Sequence, residues 1–248
     1  MYMTEVKIID NYTVIEYEKS NIYVIENLFD DEMCDELISL INTTKLSNQM
    51  YHKQNNVLCH MTTINELLRK DDTFYYVFPT QVTKQNKEIL RTNQLSGITH
   101  SYIYKIQNDI SKKIKIIAKI MNNVNDRLLF RHNSGIILRK IYGETLLHSD
   151  GIYEKALSPI GTNYISENGE NGPDVYYRQS SCIFALNDDH EGGIFEFPYQ
   201  KVSIKLKKGS AIIFPPYWTH PHRVTELNNT FRYTISTWFC EKPFEKKD

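Results

Sequence analysis

Apolar residues recur at threes and fours from about Tyr102 to Asn122, with Ile103, Ile106, Ile110, Ile114, Ile117 and Met121 on one face. That period predicts a long amphipathic helix whose lysines face water. A shorter helix is predicted after Asp30 and Asp31, either of which can cap its N-terminus, with Met33, Leu37, Ile38 and Ile41 at helical spacing. A strand over Ile22 to Ile25 leads into it, and VKII and TVIEY read as two earlier strands. Residues 50 to 100 are polar and irregular and predict no firm element.

From about Leu128 the pattern changes to short strands. GIILRKIY, SSCIFALN, GIFEFP, VSIKLK, SAIIFP and RYTISTWF follow one another, separated by turn-rich segments. In VSIKLK, Val202, Ile204 and Leu206 alternate with polar residues, the mark of a half-buried strand. This ordering predicts an α+β fold: a double-stranded β-helix, that is, a jelly-roll or cupin-like barrel, with buttressing N-terminal helices. We expect one domain over residues 1–248, with a helix-rich part at 1–127 and the jelly-roll core at 128–240. The polar, Gly- and Asn-rich interval 152–178 exceeds an ordinary connection and predicts a lid-like loop.

With 41% hydrophobic and 12% aromatic residues among 248, the chain can bury a sizeable core. A net charge of −1 gives no global basic field, so nucleic acid is not an expected partner. MYMTEVKIIDNY lacks the apolar stretch of a secretory signal, and no apolar run reaches membrane-spanning length. Cys34, Cys59, Cys182 and Cys240 are scattered without metal-binding or redox spacing. A cytoplasmic protein with buried free thiols is expected.

The chemistry concentrates in LLHSDG, HPHRV and FRYTISTWF. His148 and Asp150 form a His-x-Asp pair, His222 is a distant second histidine, and Arg232 lies on the next predicted strand. Two imidazoles and a carboxylate are the ligand set that holds non-haem Fe(II) on one face, leaving positions open. An arginine nearby suits the far carboxylate of a dicarboxylate co-substrate, because its planar fork binds carboxylate bidentately. Arg232, Thr234, Ser236 and Trp238 share one face of the last strand, and an inward arginine needs a fixed anion. Thr234 supplies a second donor there; an internal salt bridge from Arg232 to Glu196 is the plainer alternative. His220 has the same strand parity as His222, but is expected to pack with Tyr217 and Trp218 at the rim.

YGETLLHSDG, RQSSCIFALNDDHEGGIFEFP, KKGSAIIFPPYWTHPHRV and FRYTISTWF together resemble the prolyl 4-hydroxylase-type 2-oxoglutarate/Fe(II) dioxygenases, as does the early VIENLFDDEMCDELISLI. The resemblance covers roughly residues 20 to 240 and is clearest from 136 to 239. It implies iron ligation by His148, Asp150 and His222, with the 2-oxoglutarate C5 carboxylate on Arg232 and a further contact from Tyr142. It also implies Fe(II), 2-oxoglutarate and O2 as reactants, with ascorbate as an auxiliary candidate, and succinate, CO2 and a hydroxylated C–H bond as products. Gly192 and Gly193 would form a tight turn, and Asp188, Asp189 and His190 would be solvated.

A prolyl residue in a protein or peptide is the substrate that the resemblance implies. Arg178, Trp218 and Tyr153 are candidate substrate contacts. The alternatives are a free amino acid, a small metabolite or a modified base. A metal-binding cupin-like module without oxygenase activity, or a zinc hydrolase, is the reading from a different class. Arg232 discriminates, because a hydrolase has no evident need for a buried arginine. Oligomeric state is not legible.

Overall fold

The structure is a computed structural model, and it describes residues 4–17, 20–43, 48–52, 57–64, 100–125, 130, 132–151, 177–228 and 230–241. Its strands are β1 (Thr4–Ile9), β2 (Tyr12–Tyr17), β3 (Ile22–Ile25), β4 (Asn48–His52), β5 (Val57–Thr63), β6 (His132–Asn133) and β7 (Ile137–Tyr142). They continue with β8 (Thr145–His148), β9 (Tyr177–Ala185), β10 (Phe195–Phe197), β11 (Val202–Ile204), β12 (Ala211–Phe214), β13 (His222–Val224) and β14 (Arg232–Glu241). The helices are α1 (Asp31–Thr43) and α2 (His100–Val124).

Two antiparallel sheets carry the fold. The larger runs β1-β2-β3-β12-β9-β14-β7-β5-β4, with β6 beside β14; the smaller runs β11-β10-β13-β8. Alternation decides what lies between and behind them. Ile22 and Val24 of β3, Ala185 of β9, and Ile212 and Phe214 of β12 face inward, where they meet Phe195, Phe197, Val202, Ile204 and Val224 of the small sheet. Their sequence neighbours Tyr23, Ile25, Cys182, Phe184, Ala211 and Ile213 face the other way and pack with both helices. The central strands of the large sheet are therefore covered on both faces, which is why SSCIFALN and SAIIF read as unbroken apolar runs.

Asp30 caps α1, its Oδ1 accepting the Met33 backbone N–H at 2.8 Å, and Asp31 and Glu32 in the first turn favour the positive helix end. Cys34, Leu37, Leu40 and Ile41 are its buried stripe. On α2 the buried residues include Ile103, Ile106, Ile110, Ile114, Ile117 and Met121, the same set that the period singled out. Gly192 and Gly193 both take positive φ, +75° and +68°. A Cβ on Gly192 would stand 1.8 Å from the Glu226 carbonyl oxygen, so the turn accepts only glycine there.

The N-terminal part differs from the helix-rich expectation. Its described residues supply five strands beside the two helices, and β5 pairs with β7 along Leu58↔Tyr142 to Thr63↔Ile137. β4 and β5 fall where the pattern predicted nothing. They extend one margin of the large sheet, where backbone pairing needs little apolar alternation to signal it. The lid-like interval also shortens: Tyr177 and Arg178 belong to β9, while 152–176 lie outside the described residues. Cys34, Cys182 and Cys240 are buried free thiols, and burial pushes the Cys34 thiol up to about 12. Among the described residues no helix is long and apolar enough to cross a membrane.

Candidate active site

His148 ends β8 and stands directly opposite His222, the first residue of β13. The register shifts between His222 and Val224, a bulge that leaves the pair at the end of the small sheet. Asp150 follows two residues after His148. One ligand atom from each of the three lies within 4.8 Å of the others. Asp150 Oδ1 is 3.2 Å from His148 Nε2 and 3.9 Å from His222 Nε2. Ligands about 2.1 Å from a metal and at right angles stand about 3 Å apart, so the three atoms fit one face of an octahedral ion.

Neighbouring groups orient each donor. His148 Nδ1 lies 2.8 Å from the Leu146 carbonyl and His222 Nδ1 lies 3.2 Å from the His220 carbonyl. With Nδ1–H donating to those oxygens, both Nε2 lone pairs are turned to the cluster. Asp150 Oδ2 accepts from Ser181 Oγ at 2.5 Å and from Trp238 Nε1 at 3.2 Å, leaving Oδ1 toward the histidines. Arg178 Nη1 donates to the Asp150 backbone carbonyl at 2.5 Å.

The charges follow from burial and proximity. Burial pulls the Asp150 pKa upward, but the hydrogen bond and charge of His148, the charge of His222 and the Ser181 hydroxyl outweigh it, so the carboxyl sits well below its usual range. His222 is driven down to about 4, chiefly by burial and against the pull of Asp150. For His148 burial acts downward, yet the hydrogen bond and charge of Asp150 prevail and its pKa is raised. The metal-free site thus holds an anionic carboxylate, a neutral His222 and a His148 that retains its proton more readily than a free imidazole.

Behind this cluster, Arg232 opens β14 facing inward, 6% exposed, its guanidinium carbon 5.0 Å from the Phe195 ring centroid. Glu196 does not pair with it, because Glu196 points outward to Arg223 at 2.6 Å. The Thr234 hydroxyl, on the same face, is buried with no hydrogen-bond partner among the described residues. A narrow cavity lined by Ala185, Asn187, His190, Phe195, Arg232 and Thr234 opens there. Phe197 and Phe214 pack on the His222 ring at centroid distances of 5.5 and 4.5 Å. Phe197, which packs on His222, and Phe195, which lies beside Arg232, are two residues apart on β10 and share its inner face. An unsatisfied buried hydroxyl beside a buried guanidinium is a site shaped for a carboxylate.

Several expected residues stand elsewhere. Tyr142 does not reach the cavity: Ile141 is the residue opposite Arg232, and Tyr142 turns to the reverse face of β7 against Phe231 at 5.7 Å. His190 is buried rather than solvated, lining the cavity near Arg232; burial, then the Arg232 charge, lowers its pKa. Asp188 and Asp189 are exposed. His220 is buried instead of at the rim, its Nε2 2.6 Å from the Ser20 carbonyl and its Nδ1 2.9 Å from Thr219 Oγ1, so both nitrogens are engaged away from the cluster. Trp218 stands 70% exposed in the turn whose Pro216 carbonyl accepts the Gly151 N–H. Tyr153 lies outside the described residues. Sequence reasoning missed Ser181 and Arg139. Strand parity was the available signal for both, since Ser181 pairs with Trp238 and Arg139 pairs with Thr234.

Residues 141–240 match the family model described as the 2OG-Fe(II) oxygenase superfamily. No curated protein matches the chain. Among solved structures, the viral collagen prolyl hydroxylase of Paramecium Bursaria Chlorella virus-1, in its 2OG complex, is similar at 17% identity and a TM-score of 0.55, covering 91% of this chain and 98% of that one. A prolyl hydroxylase from Trichoplax adhaerens, in complex with a hypoxia inducible factor oxygen degradation domain peptide fragment, is similar at 11% identity and a TM-score of 0.51, covering 89% and 84%. At such identities the likeness establishes the fold, which is of the jelly-roll type.

Proposed function

We propose that the chain is a member of the 2OG-Fe(II) oxygenase superfamily, whose model matches residues 141–240, that His148, Asp150 and His222 are its iron ligands, and that it hydroxylates a prolyl residue in a protein or peptide. Arg232 and Thr234 hold the C5 carboxylate of 2-oxoglutarate in this reading, on the inner face of β14 in the jelly-roll-type fold. Bound iron and 2-oxoglutarate together supply the oxidising power for an unactivated C–H bond, with succinate and CO2 as co-products.

The protein's own groups prepare that chemistry. The Leu146 and His220 carbonyls hold both imidazoles in the Nε2-accepting tautomer. Ser181 and Trp238 occupy Asp150 Oδ2, so the carboxylate would offer a bound ion the single oxygen Oδ1. Phe197 and Phe214 pack on the His222 ring and exclude water from that side, and the Arg232 guanidinium would hold the far carboxylate of 2-oxoglutarate. The prolyl assignment is supported by the resemblance and by the substrates that the similar proteins' names carry.

The observation that carries the reading is the convergence of Asp150 Oδ1 and two histidine Nε2 atoms within 4.8 Å. Anaerobic addition of Fe(II) and 2-oxoglutarate is expected to produce the weak visible charge-transfer band of the chelate. Succinate formation should then rise with a prolyl peptide. A folded, iron-loaded protein without the band would refute the co-substrate assignment; a band with no peptide-stimulated turnover would refute only the prolyl one.

A further inference from the structure

More positive charge faces the candidate metal than the ligand set and the co-substrate require. Trp238, whose Nε1 meets Asp150, has two guanidiniums near its ring: Arg178 lies 3.9 Å and Arg139 lies 5.7 Å from the ring centroid. Arg139 arrives there by register, since its pairing with Thr234 puts it on the inner face of β7. Arg178 arrives by a bulge. β14 pairs Phe239 with Ser180 but Cys240 with Arg178, so Gln179 is the extra residue and Arg178 is turned to the Trp238 side.

The two arginines differ in what holds them. Arg178 donates to the Asp150 carbonyl. Arg139 pairs with no carboxylate among the described residues, and its buried Nε has no hydrogen-bond partner there. A part-buried cation beside a cation site is unfavourable unless an anion enters between them. The far carboxylate of the co-substrate is already matched by Arg232, on the other side of Thr234 along β14. An anion carried by the other reactant would fill the place beside Arg139.

Resting on the oxygenase reading above, we infer that Arg139 is a specificity residue: with Arg178 it receives a carboxylate carried by the prolyl substrate and seats it over Trp238 beside the ion. Two sources share that chemistry, the terminal carboxylate of a small prolyl compound and the side-chain carboxylate of an acidic residue next to a prolyl residue.

The test uses the Mn(II)-loaded protein with 2-oxoglutarate and three probes: N-acetyl-L-prolinamide, N-acetyl-L-proline and N-acetyl-L-glutamyl-L-prolinamide. The chain has two tryptophans, so Trp238 fluorescence in a Trp218→Phe background reports binding without turnover. One carboxylate probe is expected to bind about tenfold or more tightly than the neutral amide, and which one identifies the source. Arg139→Met should abolish that preference while leaving 2-oxoglutarate affinity unchanged, and Arg139→Lys should restore part of it. Should Arg139→Met not fold, Arg139→Lys alone must lower the preference several-fold, because it keeps the charge but not the fork. Equal binding of all three probes overturns the inference, as does binding of none by a protein that binds 2-oxoglutarate. So does an Arg139 variant that loses 2-oxoglutarate affinity with its probe preference intact. If the wild type fails to bind 2-oxoglutarate, the oxygenase reading itself has failed and the inference falls with it.

Discussion

Trp238 Nε1 donates to Asp150 Oδ2 at 3.2 Å, tying the last strand, β14, to the carboxylate of the candidate metal site. With Ser181 on the same oxygen, it decides which carboxylate atom faces the histidines. A ligand that can rotate binds an ion less well than one held in place.

Trp238→Phe keeps an aromatic ring beside the two arginines and removes the donor. Metal affinity is expected to fall about tenfold or more, with the thermal unfolding temperature little changed. Mn(II) titration monitored by electron paramagnetic resonance measures it. Unaltered affinity would show that Ser181 alone holds the carboxylate.

Metal binding should depend on pH through one histidine rather than two. His222 is neutral down to about 4, so it needs no deprotonation above that. His148 has a raised pKa, so below that value the ion must displace its proton. Apparent affinity should therefore fall by about tenfold per unit as pH drops toward 5, with about one proton released per ion bound. A hundredfold slope would mean that both imidazoles are protonated in the apo site.

Arg232→Ala is expected to weaken 2-oxoglutarate binding by roughly a hundredfold, the cost of about 1.5–3 kcal/mol for a lost charged hydrogen-bond pair, while metal affinity stays put. Arg232→Lys should recover part of it. Isothermal titration of the Mn(II)-loaded variants separates the two. Loss of metal binding as well would place Arg232 in the architecture of the cluster rather than in a co-substrate pocket.

Gly192→Ala tests the turn beside the cavity. Its Cβ would collide with the Glu226 carbonyl at a positive φ, so the variant should lose about 2 kcal/mol or more of stability in urea unfolding. A change under about 0.5 kcal/mol would mean that the turn can shift at little cost.

Much of the architecture was legible because periodicity is local. Both helices stand where a period near 3.6 placed their apolar residues, and the alternation of Val202, Ile204 and Leu206 is the burial pattern observed. Arg232, Thr234, Ser236 and Trp238 share the inner face of β14 because strand parity holds through that stretch. The residue types at His148, Asp150 and His222 indicated metal chemistry before any distance was known. Other features needed contacts between distant segments. β5 is paired along its length with β7, a strand some eighty residues away, with β4 paired to β5 beyond it, and Tyr142 is turned to the reverse face of β7 by the one-residue offset from Ile141.

The sequence by itself determined the helices and the strand run, since each is written in neighbouring residues, and it supplied the residue types of the candidate metal cluster. Only the tertiary structure decided that His220 is tied to Ser20, that Arg178 is turned inward by the extra residue Gln179, and that Arg139 shares a ring with it. The physical reason is that a strand's parity persists only until a bulge resets it, and which groups then meet depends on hydrogen-bonded register between strands far apart in the chain.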